Sequence, residues 1–137
     1  MSERSVLDVL LGGNLRNVQS KPETAKVEIS RLSKQLGEPV VLTVRALQYD
    51  EIAELLGSTQ LDAEIVLRAT VEPSFKNVDL AVKLGVLAPG EEWGAHGKMA
   101  IDSVKAMLLG GEISEISREI QRLSGYFKRM THVVKKN

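Results

Sequence analysis

Apolar positions along the chain switch period several times, and each switch predicts an element. Val6, Leu7, Leu10 and Leu11 recur at helical spacing with Asp8 on the other side, until Gly12-Gly13 ends the run. Two turns are too short to hold in water alone, so this helix should dock, on its own core first and otherwise on a partner. Residues 14–24 are polar, contain Pro22 and show no period, as a linker would. Lys26-Val27-Glu28-Ile29-Ser30 then alternates polar and apolar, and Val40 to Leu47 places Leu42, Val44 and Ala46 on one face. With Gly37-Glu38-Pro39 between them, the two segments predict an antiparallel hairpin with a long loop.

From Tyr49 the period is helical. Asp50 and Glu51 sit in a first turn and Gly57 provides a stop. Leu61, Ile65, Val66 and Ala69 form a second stripe, which Pro73 should terminate. Asn77 is placed to cap a short helix from Val78 to Leu84, closed by Gly85. Ala88 to Gly97, with Pro89 and Trp93, is a loop by composition. Ile101, Val104 and Leu108 mark the next helix, Lys98 to Leu109, which Gly110-Gly111 breaks. The last, Glu112 to Ser124, lines up Ile113, Ile116, Ile120 and Leu123. Burying those four contributes roughly 1.5–3 kcal/mol each before entropy is subtracted. The pattern predicts an α+β fold: a mostly helical single domain with an N-terminal antiparallel β-hairpin and about four to five short helices. The domain spans 1–126, followed by a basic C-terminal tail, 127–137.

Length supports one domain: 137 residues bury about two-thirds of their unfolded surface without a staple. Eighteen Lys and Arg balance eighteen Asp and Glu, which removes the bulk charge of a general nucleic-acid binder. The absence of Cys excludes disulfides, thiolate nucleophiles and Cys-containing zinc sites. No apolar run suits a secretory signal or a membrane span, so a cytoplasmic protein is expected.

Catalytic patterns fail one by one. His96 and His132 stand in different segments without a carboxylate at ligand spacing, so neither a metal nor another cofactor is expected. Gly94-Ala95-His96-Gly97-Lys98 has Glu92 where a phosphate loop needs its first Gly, and Met99 where it needs Ser or Thr. The carboxylate pairs at Glu51/Glu54, Asp62/Glu64 and Glu91/Glu92 fall in helix first turns and loops, where a solvated face explains them. The tail carries Lys128, Arg129, Lys135 and Lys136 and no acid, but no interleaved aromatics, so nucleic acid is not the expected partner.

Three stretches, taken in order, resemble the XkdN-like tail assembly chaperones of long-tailed phages and defective prophages. The first joins Ser5 to Leu11 with the hairpin Val27 to Leu32 and Gly37 to Leu47. The second runs from Val71-Glu72-Pro73-Ser74-Phe75-Lys76-Asn77 through Leu80 to Gly85. The third is Leu108-Leu109-Gly110-Gly111-Glu112-Ile113 with Leu123-Ser124-Gly125-Tyr126. Two departures stand out: Gly110-Gly111 replaces a common Pro-Gly, and the loop Pro89 to Gly97 with Trp93 is unlike the family's.

The resemblance implies a chaperone and no enzyme. Such a protein binds the tape-measure protein, keeps it soluble, helps recruit tail-tube subunits, and is absent from the mature virion. It acts in the cytoplasm of the bacterial host, and self-association suits a protein that coats a long filament. The expected contact residues are Val6, Leu7, Leu10, Trp93, Tyr126 and Phe127, apolar groups in poorly anchored segments. The competing reading is a small structural adaptor retained in the phage particle.

Overall fold

In the computed structural model, which describes residues 4–134, the alternating segment becomes β1 (Thr24–Glu28), with Ala25 and Val27 turned inward and Thr24, Lys26 and Glu28 exposed. Lys135 and Lys136 of the basic tail lie outside the described residues. β2 (Val41–Arg45) pairs antiparallel with β1, Val27 opposite Leu42 and Ala25 opposite Val44, and both β2 residues are fully buried. The expected hairpin therefore forms, but its connection is not a long loop. A helix, α2 (Ser30–Leu36), fills it and ends at Gly37, whose φ of 74° suits only glycine without strain. Ser33 Oγ accepts the Val40 N–H at 2.9 Å and so fixes how the chain turns into β2.

A second correction concerns the segment before Pro73, read as helix. α4 (Leu61–Ala69) stops at Thr70, whose hydroxyl donates to the Val66 carbonyl at 2.6 Å, and β3 (Thr70–Glu72) pairs antiparallel with β2. The β-branched residues Thr70 and Val71 suit this extension. The sheet thus has three strands in the order β1-β2-β3 and not two. The chain leaves β3 through a cis Glu72–Pro73 peptide bond.

The remaining helices are α1 (Val6–Gly12), α3 (Tyr49–Leu55), α5 (Val78–Lys83), α6 (Ala100–Met107) and α7 (Gly110–Leu123). The described residues hold seven α-helices, more than the four to five expected, in a fold that is α+β and mostly helical. Asn77 caps α5 as its position predicts, its Oδ1 accepting the Leu80 N–H at 2.9 Å.

α4 and α7 pack together over the inner face of the sheet. Ile65, Val66 and Ala69 from α4 meet Ile116 and Ile120 from α7, Leu42 and Val44 from β2, and Val104 from α6, all buried. Phe75, only 1% exposed, closes the same core from the turn after β3. The stripes read from sequence on α4, α6 and α7 are the faces buried here, with Ile113 and Leu123 at the margin. Two serines accompany them. Ser117 Oγ donates to Asp62 Oδ1 at 2.7 Å, whereas Ser103 Oγ is buried with no hydrogen-bond partner among the described residues.

Two bidentate ion pairs pin elements the hydrophobic stripes do not. Arg31 on α2 reaches Glu112 at the start of α7, through Nε at 3.1 Å and NH2 at 2.9 Å, and also donates to the Met107 carbonyl. This guanidinium and the Leu109 N–H hold the Glu112 carboxyl below the usual range. Arg45 at the end of β2 grips Glu51 on α3 at 2.9 and 2.7 Å. With the Gln48 N–H also donating, Glu51 falls from the ordinary 4.5 to about 2. A carboxylate depressed on folding adds stability that is complete above its unfolded value and vanishes as pH falls toward the folded one. Between pH 5 and 2 the protein should therefore lose about 1–3 kcal/mol through this pair. Urea midpoints measured across that window should show Glu51→Gln with a correspondingly flatter profile.

Gly110 and Gly111 break α6 from α7 as expected, yet both lie inside the first turn of α7, and a Cβ built on either meets nothing within 4 Å. Leu109 is the N-cap, so Gly110 stands where proline is favoured in helices. Gly110→Pro should raise stability by about 0.4–1 kcal/mol by narrowing the unfolded ensemble, read as a higher urea midpoint with unchanged slope.

Candidate interaction surface

The residues expected to contact a partner fall into three places. Val6, Leu7 and Leu10 share α1, a helix well made locally. Ser5 Oγ accepts the Asp8 N–H at 3.0 Å, Asp8 Oδ2 accepts the Ser5 N–H at 3.3 Å, and Arg4 donates to the Asp8 carbonyl. No α1 residue is buried or packs against the core, so the first expectation, docking on the chain's own core, is not met. Val6 is 76%, Leu7 61%, Leu10 43% and Leu11 74% exposed. Among the described residues, the hydrogen bond joining residues 4–22 to the rest runs from Gln48 Nε2 to the Val18 carbonyl at 3.2 Å.

Tyr126 and Phe127 lie together just beyond α7. The Tyr126 N–H donates to the Gln121 carbonyl, and the Arg118 guanidinium stands 4.8 Å over the Phe127 ring. Both rings remain partly exposed. Trp93 is different. It is half-buried, and its indole N–H donates to the Lys76 carbonyl at 2.8 Å, tying the glycine-rich loop to the turn that carries Phe75. That bond gives the ring a structural role beside any contact role. No hydrogen bond among the described residues links these three places.

His96 Nε2 lies 3.4 Å from Glu91 Oε2, a single contact on an exposed loop. Among the described residues no group of three or more His, Asp or Glu side chains gathers to hold a metal. No described helix is long and apolar enough to cross a membrane. Exposed apolar side chains also occur singly elsewhere on the surface, but α1 carries five within six residues. Exposed leucines concentrated in this way suit binding of another amphipathic helix, apolar face to apolar face.

The capping box at Ser5 and Asp8 was within reach of the sequence, since Ser-x-x-acid before an apolar run is an N-terminus signature. The pairs Arg31–Glu112 and Arg45–Glu51 were not, because no local pattern marks partners set by tertiary packing.

Comparison with known proteins matches residues 54–136 to the family described as phage XkdN-like tail assembly chaperone protein. No curated protein matches the chain. Among solved structures, the crystal structure of the protein YqbN aligns with a TM-score of 0.55 at 20% identity, covering 91% of this chain and 99% of that one. At that identity the likeness concerns the fold.

Proposed function

The chain belongs to the phage XkdN-like tail assembly chaperone family, and we propose from this that it binds the tape-measure protein, keeps it soluble and helps recruit tail-tube subunits. In this reading it works in the cytoplasm of the bacterial host and leaves before the virion matures. The observation that carries the reading is α1: five exposed apolar side chains, Val6, Leu7, Val9, Leu10 and Leu11, on a capped helix that the core does not use. A tape-measure chain is long, helical and apolar along one face, and shielding such a face needs binding and no turnover. Tyr126 and Phe127 extend the proposed contact, and Trp93 does so with whatever of its ring the loop leaves open. Self-association would let successive copies coat the filament.

Co-expression with the tape-measure protein encoded nearby, followed by pull-down and size exclusion, tests this. A tape measure that turns soluble and co-elutes with the chain supports the reading, and the stoichiometry reports coating. A tape measure that stays insoluble while this chain elutes alone would overturn it. Detection of the chain in purified particles would instead favour the structural adaptor.

A further inference from the structure

β1 is the outer strand of the sheet, and the register fixes which of its backbone groups face away from β2. The Ile29 N–H donates to the Val40 carbonyl at 2.9 Å and the Ala46 N–H to the Glu23 carbonyl at 2.8 Å. With Val27 opposite Leu42 and Ala25 opposite Val44, the odd-numbered residues bond inward. Alternation in an antiparallel pair then turns the N–H and C=O groups of Thr24, Lys26 and Glu28 outward. Such an edge is a template for one more strand.

α7 runs beside this edge and completes a groove of about 510 Å³. Val27 and Ile116 supply apolar lining, and Glu28, Glu112, Glu115 and Glu119 outnumber Lys26 and Arg31 along it. Arg31 is committed to Glu112, and Glu119 pairs with Arg122 outside the groove. Glu28 and Glu115 have no ion-pair partner among the described residues, so the groove presents a net negative face.

Residues 128–134 carry the complementary chemistry. Lys128 and Arg129 come without an acid, and Thr131, Val133 and Val134 are β-branched. Met130, Val133 and Val134 are 65%, 77% and 81% exposed. The segment also starts at the right end. The Leu47 N–H donates to Ser124 Oγ at 2.8 Å, which sets the end of α7 beside the end of β2 and hence near Thr24, the partner of Arg45. The Arg31–Glu112 pair sets the start of α7 near the other end of β1. The structure leaves residues 128–134 exposed, unpaired and outside the groove lining, and from the turn at Gly125 (φ 96°) and Phe127 (φ 67°) a segment laid into the groove would run from Thr24 toward Glu28. Seven extended residues span about 23 Å, more than the roughly 14 Å from end to end of a five-residue strand.

We propose that residues 128–134 add to β1 of the same chain as a fourth, parallel strand, held against the acidic groove beside α7. Tethering gives the segment a local concentration in the millimolar range, so a weak strand addition suffices. The contact does not depend on the client-binding role.

The chain has no cysteine, so His132→Cys takes a single nitroxide label. In dilute full-length protein, the label should broaden the amide resonances of Thr24, Lys26 and Glu28 several-fold relative to its reduced form. Mixing labelled chain with isotope-enriched unlabelled chain should leave those resonances sharp. Glu28→Lys together with Glu115→Lys, both at exposed positions, should restore most of the lost intensity while the spectrum stays dispersed. Sharp resonances in the labelled chain itself would overturn the proposal. So would broadening confined to the mixed sample, which would assign the groove to a second copy, or broadening indifferent to the charge reversals.

Discussion

Phe75→Ala is expected to lower the free energy of unfolding by about 3–5 kcal/mol. Phe75 is the largest fully buried side chain, and it fills the core from a turn held between β3 and α5. Its backbone neighbours on that turn are fixed by the Trp93 bond to Lys76 and by the Asn77 cap, so the site cannot collapse to close the void. Domains of this kind are stable by only about 5–15 kcal/mol, and the loss is a large part of that. Urea titration should show a much lower midpoint at a similar slope. A midpoint close to that of the parent would mean the ring is not part of the core.

The second expectation is the reverse in character. Leu7→Asp with Leu10→Asp should leave the free energy of unfolding, read from the urea midpoint, within about 0.5 kcal/mol of the parent, because neither side chain belongs to the core cluster. Capture of the tape-measure protein should fall tenfold or more, since two apolar anchors at the centre of a helix-on-helix contact carry at least about 1.4 kcal/mol between them. Pull-down yield and the soluble fraction of co-expressed tape measure report the change. Undiminished capture would remove α1 from the contact. Capture lost together with the midpoint would mean α1 serves the fold.

The helices that build the core were legible because one face of each is buried and the period survives in the sequence. Ile65, Val66 and Ala69 on α4, and Ile116 and Ile120 on α7, are simple cases. α2 was hidden because Leu32 and Leu36 are its only large apolar residues, and of these Leu32 packs against the core while Leu36 stays exposed, with Arg31 tying the helix to α7. β3 was hidden because three residues carry no period, and Thr70-Val71 reads as the end of a helix until β2 is there to pair with. The candidate contact residues were found as apolar residues in weakly anchored segments. That same signal could not separate Leu7, exposed and unpartnered, from Trp93, tied by a hydrogen bond to a carbonyl seventeen residues away. The resemblance to the tail assembly chaperones was legible because helix caps and turns survive as short ordered stretches.

α1 stands at the end of the polar stretch 13–23, which the Glu23 carbonyl anchors to the Ala46 N–H; nearer α1, the described residues hold one exposed hydrogen bond to the body, between Val18 and Gln48. A bond of that kind is worth about 0.5–1.5 kcal/mol, so thermal motion opens it readily. Once released, an eleven-residue tether lets the helix range over a distance on the order of 20 Å. If α1 is the client-binding helix, as proposed, a helix held this way would catch a client before the two bodies are aligned, and would follow a client whose next apolar face lies off the axis of the last. Capture radius, more than the shape of a fixed groove, would then set how fast a nascent filament is covered. Shortening residues 13–23 would slow capture without altering the contact itself.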